Sequence, residues 1–453
     1  MDLFQLGRDD LRSLRVDAPV HRDERTGLWL VSRYADVKAV LADPKTFHPD
    51  NALTAVTPIP SPVLRTLARA GFSLPPTLAN NGTDTHTGLR RLVAAFLTPA
   101  RVAAMRPRIA ELARERLQCL IAAAPQTAAR SPESRQAAPG FASIERRDRH
   151  ETRRGLPTRP RGLSGTVDLH PALARDLPAV VLLEVMGIRD VDVDKLKAWS
   201  TASLELFWGD VTVERQHELA GPAAEFHQWL TARIKAADPG GDDLFAALRR
   251  EGVPVRDAAG LCYFLLIAGQ ETTTQLLCAV FDAVLRHRDL WSRLGEPGMA
   301  ERCVEEVLRR DPPVNTWRRV AARDVTISGV EVPARAQLLL MLAGTGSDPE
   351  VFDEPERLCP ARPNARKHLA FGFGRHFCLG AGLARLEAEV VLRETFDRFP
   401  RLRLASAEPP PMLGLLSFRA PLSVPVELGD EDELPGGRAG LQGLVGAGGV
   451  GQR

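Results

Sequence analysis

Hydrophobic residues spaced three and four apart recur over most of this chain, the period of helices that bury one stripe. Trp29 to Tyr34 (WLVSRY) has strand character, and the run after it, ADVKAVLAD, has a helical spacing that Pro44 stops. Residues 57–80 hold no sustained period and are rich in Pro, Leu and Ala, so they read as a long loop with short helical pieces. Loops of that length inside a compact domain are usually functional. Helical spacing returns from Thr87 to about Ala123, interrupted at Thr98-Pro99, and from about Leu173 it dominates through to Arg310. The longest helix is expected over roughly Val255 to His287, about 50 Å at 1.5 Å per residue. Residues 317–343 read as short strands, with VTISGVEVP turning at Ser328-Gly329 ahead of LLLML. A final helix covers about Gly380 to Phe399, and short strands follow in FRAPLSVPVEL. The fold class expected is mainly α with a minor β region, in one large helical domain over residues 1–428.

Two segments break that pattern. Residues 125–165 are poor in branched apolar side chains, and seven Arg fall between Ile144 and Arg161 against Glu145, Asp148 and Glu151. Such a stretch buries too little to offset its ordering entropy, so it is expected to be a disordered, solvated Arg/Pro-rich insertion rather than a dock for an acidic partner. The Gly-rich tail, 429–453, is expected to be flexible.

Charge excludes more than it suggests. Lys and Arg total 59 and Asp and Glu 57, so no global field selects nucleic acid or an anionic surface. The N-terminal stretch is charged from Arg8 onward and holds no signal-length or membrane-length apolar run. The six cysteines (119, 262, 278, 303, 359 and 378) form no CxxC pair, and four lie in apolar, helix-like contexts. A soluble protein of the cytoplasm, with no membrane partner, is expected.

The chemistry concentrates in a few runs. In FGFGRHFCLG, Phe371 to Gly380, glycines at 372, 374 and 380 permit a tight loop and close approach, and Cys378 falls just before a helix start. Amides at a helix N-terminus stabilise an anionic sulfur. In Ala268-Gly269-Gln270-Glu271-Thr272-Thr273 an acid and an alcohol sit inside an otherwise apolar helix, which is costly unless they are paired or solvated. Gly269 weakens that helix by about 1 kcal/mol relative to Ala, so a locally opened helix admitting a ligand and waters is expected. Glu306 and Arg309, three apart, share a helical face. Arg suits anionic groups through its bidentate fork, and His86-Thr87-Gly88-Leu89-Arg90 and Arg319-Val320-Ala321 place cations at a helix start and a strand start.

With these residues in view, the chain resembles the cytochromes P450 of the soluble bacterial kind over about residues 15–124 and 166–428. The 371–380 run fits the family's haem loop, Phe-Gly-x-Gly-x-His-x-Cys-x-Gly, at every fixed position. The resemblance implies the P450 fold enclosing haem b, with Cys378 as the axial metal ligand. It places His86, Arg90, Arg319 and His376 at the propionates and Phe371, Gly372, Ala268 and Gly380 beside the cofactor. By the same resemblance Thr272 bonds dioxygen and Glu271 relays protons, while Glu306, Arg309 and Arg362 form a structural network. The substrate would meet the 57–80 loop, Leu265, Ala268, the run from Val314 through Asn315 and Thr316 to Trp317, and Leu415 to Phe418, including Leu416. Two departures stand out: Gly346-Ser347-Asp348-Pro349 where the family often has Asn-Arg-Asp-Pro, and Gly88 where it commonly has Arg.

The function implied is a haem-thiolate monooxygenase. It would take O2 and electrons from a separate ferredoxin and ferredoxin reductase docking on the cysteine side near Arg375, and oxidise a small hydrophobic or natural-product substrate. A peroxide-using or dehydrating haem-thiolate enzyme would usually lack the acid–alcohol pair. A non-catalytic haem sensor would not need an oxygen groove and would carry an output module.

Overall fold

The stretch expected to form one long helix forms two, Val255–Ala268 and Glu271–Arg286, parted only by Gly269 and Gln270. The cause is local. A Cβ at Gly269 would stand 2.9 Å from both terminal methyls of Leu182 and 3.0 Å from the Leu265 carbonyl, so only glycine allows this approach. Beyond the break, the Thr272 hydroxyl donates to the Ala268 carbonyl at 2.7 Å, a bond that competes with the helical ladder and bends it. By length and composition Val255–Arg286 could cross a membrane, but 72% of its apolar window is buried within the protein. It is a core helix.

The computed structural model describes residues 2–127 and 166–429. The expected insertion therefore lies outside the described residues except at 125–127, which close the helix Arg106–Thr127, and the tail lies outside beyond Gly429. Around the long helix, Val213–Ala236 packs on Val193–Trp208 and Val255–Ala268. Ala381–Arg398 packs on Arg106–Thr127, Glu271–Arg286 and Met299–Arg310. The 57–80 segment is mostly loop, as its composition predicts, with one short helix at Ser61–Arg69.

The minor β region is a five-stranded sheet in the order Val20–Arg22, Trp29–Val31, Gln337–Leu340, Trp317–Ala321, Phe47–His48. Only the second and third strands pair in parallel. Both faces of its centre are buried: Val31, Leu338 and Leu340 enter one apolar cluster, while Leu30 and Leu339 enter another with Leu6, Leu11 and Leu416. The hairpin Val325–Ile327 and Val330–Val332 turns at Ser328 and Gly329, both at positive φ. Thr166–Asp168, Pro425–Glu427 and Arg403–Leu404 form a third, antiparallel sheet.

One buried ionic knot ties the helices to the segment leading into the cysteine loop. The Glu306 carboxylate accepts from Arg309 at 2.8 and 2.9 Å, from Arg362 Nε at 2.9 Å and from the Cys359 amide at 3.0 Å. Glu306 and Arg309 are wholly buried. Spare N–H groups of Arg309 reach the carbonyls of Gly346, Pro355 and Arg357. Removing the acid leaves two guanidinium ions without a counter-charge, so Glu306→Ala is expected to cost about 3–5 kcal/mol in urea unfolding. A loss below about 1 kcal/mol would show that the knot does not hold the fold.

Candidate active site

Cys378 is set by the backbone of its loop. Gly372 and Gly374 both adopt positive φ (71° and 70°), which L side chains rarely tolerate. Between them and the cysteine, the Phe377 amide donates to Gly374 and the Cys378 amide to Phe371, at 3.0 and 2.9 Å. A Cβ at Gly380 would meet only the Cys378 sulfur, at 3.9 Å, among the described residues. Burial pushes the Cys378 thiol up, against the pull of the Gly380 and Ala381 amides at the start of Ala381–Arg398 and of the Arg90 and Arg385 guanidinium groups. Among the other cysteines, burial, with smaller contributions from nearby carboxylates, lifts Cys278 and Cys303 to about 12. At Cys378 two backbone amides and two guanidinium groups oppose that rise.

Cys378 lines a cavity of mostly apolar walls that opens to solvent. Its walls are the Phe371–Gly380 loop on one side and Leu265, Ala268, Gly269, Thr272 and Leu276 of the long helix on the other. These helix positions follow i, i+3, i+4, i+7, i+11, one continuous face. Leu78, Phe264, Val314, Trp317 and Phe418 complete an apolar rim.

At one edge stand cations without anions. Arg319 is 2% exposed, and its guanidinium donates only to the Arg318 carbonyl, at 2.7 Å. Neither ring nitrogen of His376 has a partner. The His86 and His376 rings lie 4.5 Å apart, and Arg375 donates to His86 Nδ1 at 3.1 Å. Arg90 donates to the Phe377 carbonyl at 2.6 Å. Burial, together with the neighbouring guanidinium groups, lowers His86 to about 4 and His376 to about 3, and burial lowers Arg319 to about 10. Arg90, Arg319 and His376 form no ion pair among the described residues. The arrangement fits a flat, mostly apolar cofactor with acidic groups along one edge. Among the described residues no cluster of His, Cys, Asp or Glu could hold a metal ion, so a metal at Cys378 would take its remaining ligands from that cofactor.

Several expectations need correction. The acid–alcohol pair is not one site: Thr272 lines the cysteine cavity, but Glu271 lines a second one behind the helix with Thr274, Gln275 and Cys278. Consecutive helical residues lie about 100° apart, so neighbours need not share a face. There Glu271 pairs with the buried Lys197 at 2.7 Å. Asn315, Thr316 and Leu416 stay out of the cavity lining, while Leu265, Ala268 and Val314 enter it. The Thr316 hydroxyl turns away to donate to the Leu416 carbonyl at 2.7 Å, and Leu416 belongs to the cluster under the sheet. Arg375, expected on the docking face, points inward to His86 and Thr83.

Sequence reasoning also passed over three features. Lys197 looks like any helical lysine until its partner is known. Glu387 lines the cavity fully buried with neither oxygen partnered, and burial raises it well above the carboxylate range. Its signal was an acid one turn from Leu383 and Ala384 on an apolar face. Glu305 is the third, holding a network of its own beside Glu306.

Comparison with known proteins agrees with this geometry. The family model described as cytochrome P450 matches residues 249–421. An erythromycin C-12 hydroxylase of Saccharopolyspora erythraea is 31% identical over 409 residues, 87% of each chain. The cytochrome P450 monooxygenase PikC of Streptomyces venezuelae is 30% identical over 424 residues, covering 89% of this chain and 88% of its own. The solved structure of cytochrome P450 CREJ with (4-ethylphenyl) dihydrogen phosphate superposes with a TM-score of 0.80 at 30% identity, over 94% of this chain and 98% of that one.

The split pair is directly testable. Lys197→Met strands a buried carboxylate and is expected to cost about 3–5 kcal/mol in urea unfolding, most of it recovered when Glu271→Gln is added. Additive costs would mean that the two side chains do not meet.

Proposed function

The chain belongs to the cytochrome P450 family and is a haem-thiolate monooxygenase, and on that premise we propose that Cys378 would hold the iron of haem b in the cysteine cavity. His86, Arg90, Arg319 and His376 hold its acidic groups, and Phe371, Gly372, Ala268 and Gly380 lie against it. The observation that carries this reading is a buried arginine without a counter-charge, Arg319, beside the unpartnered His376 ring at the edge of an apolar cavity that Cys378 lines. Two carboxylates there would partner the His376 ring and the Arg319 guanidinium at once. Bound haem supplies activation of O2 with two electrons, its thiolate ligand favouring O–O cleavage.

The chain's own residues bind, position and move protons around that chemistry. Phe264, Leu265, Val314, Trp317 and Phe418 exclude water and select an apolar molecule. The Thr272 hydroxyl, now bonded to Ala268, carries a proton on the cavity side of the helix break. Glu271 serves as the proton relay from the opposite side, fed by the second cavity, and must leave Lys197 to reach Thr272. Glu306, Arg309 and Arg362 keep the loop in place and take no part in the chemistry.

The reaction uses O2, a small molecule and a redox partner. We take the partner to be a separate ferredoxin with its reductase, in the cytoplasm. The substrate is a small hydrophobic or natural-product molecule that is hydroxylated, epoxidised or oxidatively coupled, and likeness to the erythromycin C-12 hydroxylase favours hydroxylation.

The reduced protein with carbon monoxide is expected to show the red-shifted Soret band of thiolate ligation, and Cys378→Ser is expected to lose it. Freshly folded wild type without that band would refute the ligation. Thr272→Ala is expected to keep haem and substrate binding while diverting electrons to hydrogen peroxide, read as the ratio of product to NAD(P)H consumed. Unchanged coupling would remove Thr272 from the proton path.

A further inference from the structure

Glu305 and Glu306 are consecutive buried acids on the helix Met299–Arg310, and each gathers a different set of partners. Glu306 belongs to the scaffold described above. Glu305 turns toward the cysteine loop, where Arg385 clasps it with two bonds of 2.8 Å, from Nε to one oxygen and from Nη2 to the other. The same guanidinium lies 4.5 Å above the ring of Phe371, the residue whose carbonyl accepts the Cys378 amide. His368 closes the group. Its Nδ1 accepts from the Ala370 amide at 3.2 Å, so its Nε2 carries the proton and donates to Glu305 at 2.9 Å. A more exposed cation, Arg366, comes within 4.0 Å of Glu305 at the edge of the group.

Arg385 lies over the ring of Phe371, which begins the loop that carries Cys378, and Glu305 holds it there from another helix. We propose that Arg385, seated on Phe371 and tethered by Glu305, is a positioning residue whose fixed positive charge sets the reduction potential of the iron that Cys378 holds. The inference rests on the reading of Cys378 as haem ligand. Reduction here is a one-electron step: the ferric iron takes an electron from the redox partner, and no bond forms or breaks. A cation on the proximal side stabilises the electron-richer state. Burial opposes ionisation of Glu305, but Arg385 and His368 more than offset it and hold the acid at about 2, so the tether stays charged at any working pH.

A scaffold and an electrostatic device give different results in a potentiometric titration of the haem-loaded protein. Arg385→Gln is expected to lower the equilibrium constant for reduction roughly tenfold, about 59 mV for one electron. Glu305→Gln frees the cation and is expected to raise it by a similar factor. Arg385→Lys keeps the charge and is expected to stay within about threefold of wild type. Shifts of the two neutral variants in the same direction, or both within about threefold of wild type, would overturn the proposal, and so would loss of their thiolate-type carbon monoxide band. Wild type is measured first. If it lacks that band, the ligation reading falls and takes the inference with it. If it has the band and the variants fail the opposite-sign test, the inference falls alone.

Discussion

The Glu306 carboxylate holds two guanidinium ions where water cannot reach, and the placement of the cysteine loop follows from that. Arg309 and Arg362 spend their remaining N–H groups on carbonyls between Gly346 and Arg357, a stretch with little regular structure of its own. A chain segment without helix or strand bonds must find partners for its backbone elsewhere. Here the partners are two side chains clamped by one acid. The cost of burying such ions is high, so the arrangement stands only when complete. Gly346 shows how tight it is: a Cβ there would lie 1.7 Å from the Arg309 carbonyl.

From that fixed base the loop can hold a sulfur toward an apolar slot whose far wall is a broken helix. The slot's edge is electrostatically unfinished, with two depressed histidines and a buried arginine that no anion among the described residues answers. A structure built to be complete without a ligand would not carry these groups, since each costs stability where it stands. Specificity for the cofactor is thus written in what the protein leaves unpaired as much as in what it offers.

The parts of this arrangement that are legible in the sequence are those fixed by short-range chemistry. The 371–380 loop is readable because its positive-φ glycines, aromatics, histidine and cysteine sit at set offsets within ten residues. The turn at Ser328-Gly329 is readable for the same reason. The helix break is foreshadowed by Gly269, but the facing of Glu271 is not, because the phase of a helix about its axis is set by packing partners such as Leu182 and Lys197. Asn315, Thr316 and Leu416 illustrate a related limit. The backbone passes the cavity at these residues, yet their side chains answer to hydrogen bonds and a core on the other side. Glu305 is invisible for a third reason, since its partners His368 and Arg385 are 63 and 80 residues away.

The long helix carries two interleaved stripes, Leu265, Ala268, Thr272 and Leu276 on the cysteine cavity and Glu271, Thr274, Gln275 and Cys278 on the other. The wall between them is one helix thick. Selection can therefore act on each stripe separately: a lineage that changes Leu265 or Leu276 to admit a new carbon skeleton leaves the side that carries Glu271 untouched. Descendants of such a protein would diverge in diet long before they diverged in how they breathe.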